Sequence, residues 1–174
     1  MIKHLEQHWK NKRGFTLIET LIYIALYSII IGGAIVAVYT IFESAGRNQA
    51  EAMLEEEGMF LVGKLNWALS GTQIINTPAE NATSSRLSIT KYDDTTVVIT
   101  LTATGTMMMI KNGWGPLPLN NTNTEVSGLS FVHTASSGGG IAPESVRASF
   151  TLKTRTSNGM TITQDFSTIG YIRK

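Results

Sequence analysis

The sequence predicts an α+β protein in which a long N-terminal helix, its first half transmembrane, packs at its C-terminal half on an antiparallel β-sheet domain. Three observations carry this. Leu21 to Phe42 runs for 22 residues without a charge. There is no proline between Phe15 and Thr77 to break a helix. After Gly71 the texture changes to Thr, Ser, Asn and Gly with short β-branched runs, the composition of strands joined by turns. The whole chain is 174 residues, room for one globular domain and little more. Charged residues make up only 16%, against about 25% in ordinary soluble domains, so part of the chain is expected to avoid water. With no cysteine, disulfides, thiolate zinc sites, iron-sulfur clusters and cysteine nucleophiles are excluded. A net charge of +1 gives no global pull toward nucleic acid.

The elements follow in order. Residues 1–14 carry Lys3, Lys10, Lys12 and Arg13 against Glu6, a local charge of +3 that leaves −2 for the rest. The uncharged span from Leu21 reaches about 33 Å as a helix, enough for a hydrocarbon core of roughly 30 Å. Basic residues precede it and Glu43, Glu51, Glu55, Glu56 and Glu57 follow it, which orients the N-terminus to the cytoplasm and the rest outside. No small-x-small cleavage pattern ends the run, so the span is expected to be retained. Residues 15–42 are therefore a membrane helix, and 43–70 continue it as an amphipathic segment with Ala50, Leu54, Leu61, Leu65, Ala68 and Leu69 near helical spacing. Glu57 and Gly58 interrupt that stripe. The expectation is that only the later part, with Phe60 and Trp67, docks on a domain.

Residues 71–174 form the β-rich domain. Strands are expected at Arg86 to Tyr92, Thr96 to Ala103, Met107 to Lys111, Val126 to His133, Ser145 to Thr156 and Met160 to Phe166. In the fifth, Val146, Ala148, Phe150 and Leu152 alternate with Arg147, Ser149, Thr151 and Lys153, the period of a sheet with one wet face. Asn158-Gly159 reads as a hairpin turn, Asp93-Asp94 and Thr104-Gly105-Thr106 as further turns, Trp114 to Asn123 as an irregular loop and Ser136 to Gly140 as a flexible tip.

The most specific signal is Lys12-Arg13-Gly14-Phe15-Thr16-Leu17-Ile18-Glu19, which joins the basic leader to the apolar helix. It resembles the type IV pilin and pseudopilin superfamily over about residues 10 to 40. The resemblance implies cleavage after Gly14 by a prepilin peptidase, N-methylation of Phe15, and a role for Glu19 in recruiting subunits to a filament. It also implies partners: other pilin or pseudopilin subunits through the N-terminal helix, and an inner-membrane assembly platform. The residues fit that chemistry. Gly14 lets a protease approach the backbone. Glu19, in an apolar segment, costs about 2.5 to 3.5 kcal/mol on insertion scales unless paired. Two partners suggest themselves: a capping box with Thr16 at the helix start, or the new amine of Phe15 on an adjacent subunit. The chain lacks the proline many major pilins place in this helix, with Gly32-Gly33 its only weak point, and it lacks their C-terminal disulfide loop. Val126-Ser-Gly-Leu-Ser-Phe131, the long strand from Ser145 and the ending Thr168-Ile-Gly-Tyr-Ile-Arg173 are similar to minor pseudopilins of the J type and related minor pilins.

Other candidates read as structural. His4 and His8 without a nearby acid make a poor zinc site, and Asp93-Asp94 is a turn rather than a calcium loop. No metal and no cofactor are expected. Met107-Met108-Met109 reads as core filling, Ser136 to Gly140 lacks the lysine of a phosphate loop, and the sequons at Asn81 and Asn120 are of a kind common by chance in such loops. Trp114 reads as a loop anchor more than an exposed contact. No nucleophile triad stands out, so the expectation is a structural subunit, a minor pilin or pseudopilin of a type IV pilus-like or type II secretion filament, and not an enzyme. The alternative is a filament-borne binding module, an adhesin or DNA-uptake receptor, using the β domain. Nucleic acid as a partner stays open.

Overall fold

A hydroxyl caps the first turn and no proline follows before residue 78, so the N-terminal stretch folds as one helix, α1 (Leu17–Leu69). The Glu19 N–H donates to Thr16 Oγ1 at 3.3 Å. The structure is a computed structural model that describes residues 14–112, 114–136, 143–156 and 158–172. Among the described residues nine strands follow the helix: β1 (Thr72–Thr77), β2 (Thr83–Ser84), β3 (Leu87–Lys91), β4 (Thr96–Leu101), β5 (Met107–Lys111), β6 (Leu117–Pro118), β7 (Thr124–Thr134), β8 (Ser145–Arg155) and β9 (Thr161–Tyr171). The chain divides into two compact units between Ser44 and Ala45.

In the first unit the apolar side chains are exposed from Leu17 through Phe42, with a mean hydropathy of 2.5 over the most apolar stretch and none of that stretch buried. Serine and threonine hydroxyls turn inward on the helix: Ser28 donates to the Ile24 carbonyl and Thr40 to the Ala37 carbonyl, both at 2.8 Å. The outer surface is thereby left to hydrocarbon. The helix is long and apolar enough to serve as a single-pass anchor.

In the second unit the strands make two antiparallel sheets, one ordered β1-β3-β4-β5-β6 and the other β2-β7-β8-β9. Alternation decides which side chains face inward. Ile89 pairs with Val97 and Ile99 with Met109 in the first sheet, all buried. Val146, Ala148, Phe150 and Leu152 form the inner face of β8. In β7 the phase changes once, from Val126 to Leu129 and Phe131. A register shift between Ser127 and Ser130, with Gly128 at φ 63°, inserts the extra residue that permits this. Leu54, Leu61, Leu65, Ala68 and Leu69 of α1 join these residues in one core. Each buried leucine contributes about 1.5 to 3 kcal/mol.

The end of α1 is capped from β3. Lys91 Nζ donates to the Trp67 and Ser70 carbonyls, each at 2.9 Å, and lies 4.0 Å from the Trp67 ring centroid. A cation on the last carbonyls meets the negative end of the helix dipole. Burial pushes the Lys91 ammonium below the usual lysine value, against an opposing pull from Asp93.

The fold class is as the sequence predicts, with corrections in detail. Glu57 and Gly58 are buried, not the point where the stripe leaves the domain, and docking begins earlier, at Leu54. An added Cβ at Gly58 would lie 2.0 Å from Phe166 Cζ, so β9 approaches the helix at that residue because it has no side chain. Gly170 makes the same kind of approach to Leu69, at 2.7 Å. Phe60 and Trp67, expected to dock, are exposed. There are two sheets where one was expected. β1 and β2 fall outside the expected strands, β6 lies within the expected irregular loop, and the last strand runs on to Tyr171. The expected tip at Ser136 to Gly140 lies, beyond Ser136, outside the described residues.

Candidate processing and assembly site

The junction motif begins where the description begins. Gly14 is exposed, and an added Cβ there would meet nothing within 4 Å. Among the described residues nothing covers Gly14. Phe15 is 75% exposed, and its ring meets Tyr23 edge-on, centroids 6.1 Å apart at 73°. Lys10, Lys12 and Arg13, expected to form the basic approach, lie outside the described residues, as do His4 and His8.

Glu19 sits in the first turn of α1, where the positive end of the helix dipole favours a carboxylate. The capping box expected with Thr16 is half realised. Thr16 Oγ1 accepts from the Glu19 N–H, but among the described residues the carboxylate's partner is the Tyr23 hydroxyl, one turn on, which donates to Glu19 Oε1 at 3.1 Å. Thr16, Glu19 and Tyr23 therefore form one short polar chain at the head of an otherwise apolar rod. Tyr23 is the member that residue-by-residue reading missed. Its signal was the spacing i, i+4 from the one acid in the helix's apolar half.

Two polar constellations lie in the second unit. Glu57 accepts from the Asn121 N–H and the Asn121 side chain, both at 2.6 Å, and from the Thr124 hydroxyl at 2.8 Å. Asn120 beside it is buried, accepting from the Met107 N–H at 2.7 Å and donating to the Thr124 carbonyl at 2.8 Å. The sequon at Asn120 is therefore closed to a glycan by its structural use. His133 is buried on β7, with Nδ1 3.0 Å from the Pro78 carbonyl and Nε2 2.9 Å from Glu144 Oε1. Both constellations tie distant segments together. Among the described residues no group of three or more His, Asp or Glu side chains gathers as a metal set.

The remaining candidates fall as follows. Met107 and Met109 are buried with Met108 between them on the other face, as core filling requires. Asp93 accepts from the Thr95 N–H at 3.1 Å and Asp94 has φ 58°, so this pair is the turn it was read as. The bond from Thr95 holds the Asp93 carboxyl below the usual carboxylate range. Trp114 is 69% exposed, which corrects its reading as a loop anchor.

The model of the prokaryotic N-terminal methylation motif matches residues 9–35. No curated protein and no solved structure matches the chain. The matched stretch holds Gly14, Phe15, Glu19 and Tyr23 together with the start of the exposed apolar helix. Over that stretch the match supports a likeness to type IV pilins.

Proposed function

We propose that this chain is a minor pilin or pseudopilin, a structural subunit and not an enzyme, in a type IV pilus-like or type II secretion filament. Prepilin peptidase removes residues 1–14, Phe15 is N-methylated, and the C-terminal unit lies outside the cytoplasm. An inner-membrane platform then draws the subunit into the filament. The observation that carries this reading is the junction itself, an open Gly14-Phe15 bond followed one turn later by Glu19 at the head of an unburied apolar helix. Such a helix is costly in water, and in a filament it is covered by identical or similar helices once it leaves lipid. Cleavage supplies a new ammonium at Phe15, and Glu19 is the carboxylate that pairs with it across subunits.

Mass spectrometry of the membrane-extracted protein tests the processing. The expected species begins at Phe15 and carries one methyl on its amine. A retained leader in a host with active prepilin peptidase refutes the proposal. Glu19→Ala is expected to be cleaved normally and to fail to enter the filament. A second reading has one observation in its favour: an exposed Trp114 makes the C-terminal unit a binding module carried by the filament. Loss of ligand capture on Trp114→Ala, with assembly unchanged, would support it.

A further inference from the structure

The Glu19 carboxylate sits at the end of a side chain with three rotatable bonds, among apolar neighbours that offer it no fixed direction. To meet a cation brought by another subunit in a defined place, it needs a donor on its own helix that fixes where it points. The Tyr23 hydroxyl is placed as that donor, 3.1 Å from Glu19 Oε1. An O–H donor to a carboxylate oxygen makes a directional bond that fixes where the carboxylate points. The Tyr23 ring also meets the edge of Phe15, the residue that becomes the new N-terminus, so one side chain touches both members of the assembly motif.

We propose that Tyr23 is a positioning residue for assembly: its hydroxyl orients the Glu19 carboxylate along α1, ready for a primary or methylated ammonium delivered by another copy. The inference rests on the pairing role given to Glu19 above. A carboxylate has about four acceptor sites on two oxygens, so one phenolic donor leaves capacity for the ammonium, and the two partners act together. Tyr23 thus differs from the surrounding Leu and Ile positions, whose side chains offer only apolar contact.

The test uses the full chain in its native host. Tyr23→Phe keeps the ring, its contact with Phe15 and the apolarity of the helix, and removes only the hydroxyl. Mass spectrometry of sheared filaments and of membranes gives the filament-to-membrane ratio, and reads Gly14-Phe15 cleavage in the same samples. Tyr23→Phe is expected to be inserted and cleaved as wild type while its ratio falls roughly tenfold, the scale of one charge-assisted hydrogen bond. Glu19→Asp withdraws the carboxylate by one methylene and lowers the ratio by itself. In that background Tyr23→Phe should change nothing further, because the bond is already gone. Assembly of Tyr23→Phe at or above the wild-type level overturns the proposal, and so does an equal loss in the two backgrounds. Glu19→Gln separates the two readings: normal assembly of that variant removes the pairing role and this inference with it. Failed assembly of Glu19→Gln beside normal assembly of Tyr23→Phe removes this inference alone.

Discussion

Position 58 puts a number on how closely helix and sheet meet. A methyl group there would lie 2.0 Å from the Phe166 ring, which is itself stacked on Phe150 with centroids 5.5 Å apart, so the ring cannot retreat without disturbing its neighbour. Gly58→Ala is predicted to destabilise the protein by about 1 to 3 kcal/mol, an overpacking cost that outweighs the gain in helix propensity. Gly63, on the exposed side of the same helix, has nothing within 4 Å of an added Cβ, and Gly63→Ala should stabilise by about 0.5 to 1 kcal/mol. Denaturant unfolding of the full chain in detergent, followed by tryptophan fluorescence, checks the opposite signs. Glu57 was read as a break in the stripe because its partners, Asn121 and Thr124, lie more than 60 residues away, a pairing that local sequence cannot reveal. Glu57→Ala leaves those donors without their acceptor and is predicted to cost about 3 kcal/mol by the same measurement.

At the scale of elements, legibility followed burial pattern. β8 was plain because its alternation runs unbroken along one wet and one dry face. β1 was missed because only Thr72 is fully buried along it and its pairing with β3 carries two register shifts, so no clean period survives. β2 and β6 are two residues each, too short for any period, and β6 contains Pro118. The β3–β4 turn, by contrast, announced itself through Asp93-Asp94, and it makes a prediction about acid. The Asp93 carboxyl is held below its ordinary value by the Thr95 N–H, so its contribution is present above the unfolded pKa of about 3.9 and is lost as pH falls through the lower folded value. The stability difference between wild type and Asp93→Ala should therefore shrink as pH falls below about 5. Unfolding midpoints measured across that range read it directly. A difference that stays constant would assign the turn to shape and not to charge.

The whole molecule joins two units with opposite needs. The first exposes an apolar surface that only lipid or other helices can cover, whereas the second closes its own core with Leu54, Leu61, Leu65, Ala68 and Leu69 as part of it. The sequence declared the first unit through a charge-free span and the methylation motif, both local signals, and left the sheet partition to contacts between segments far apart in the chain. The division after Ser44 predicts where the protein can be cut. A chain of residues 45–174 retains every core residue and is expected to be monomeric in water with a single cooperative melt. A chain of residues 63–174 loses Leu54, Glu57, Gly58 and Leu61. Two buried leucines alone are worth about 4 to 10 kcal/mol, comparable with the 5 to 15 kcal/mol that a domain has in total. The shorter chain should therefore aggregate or lack a melting transition, since the faces that helix covered would stand open to water. Sedimentation velocity with thermal circular dichroism on the two chains decides this. A soluble, cooperatively melting 63–174 would show that the sheets close with only the last turns of the helix, and that residues 45–62 serve only to reach the membrane.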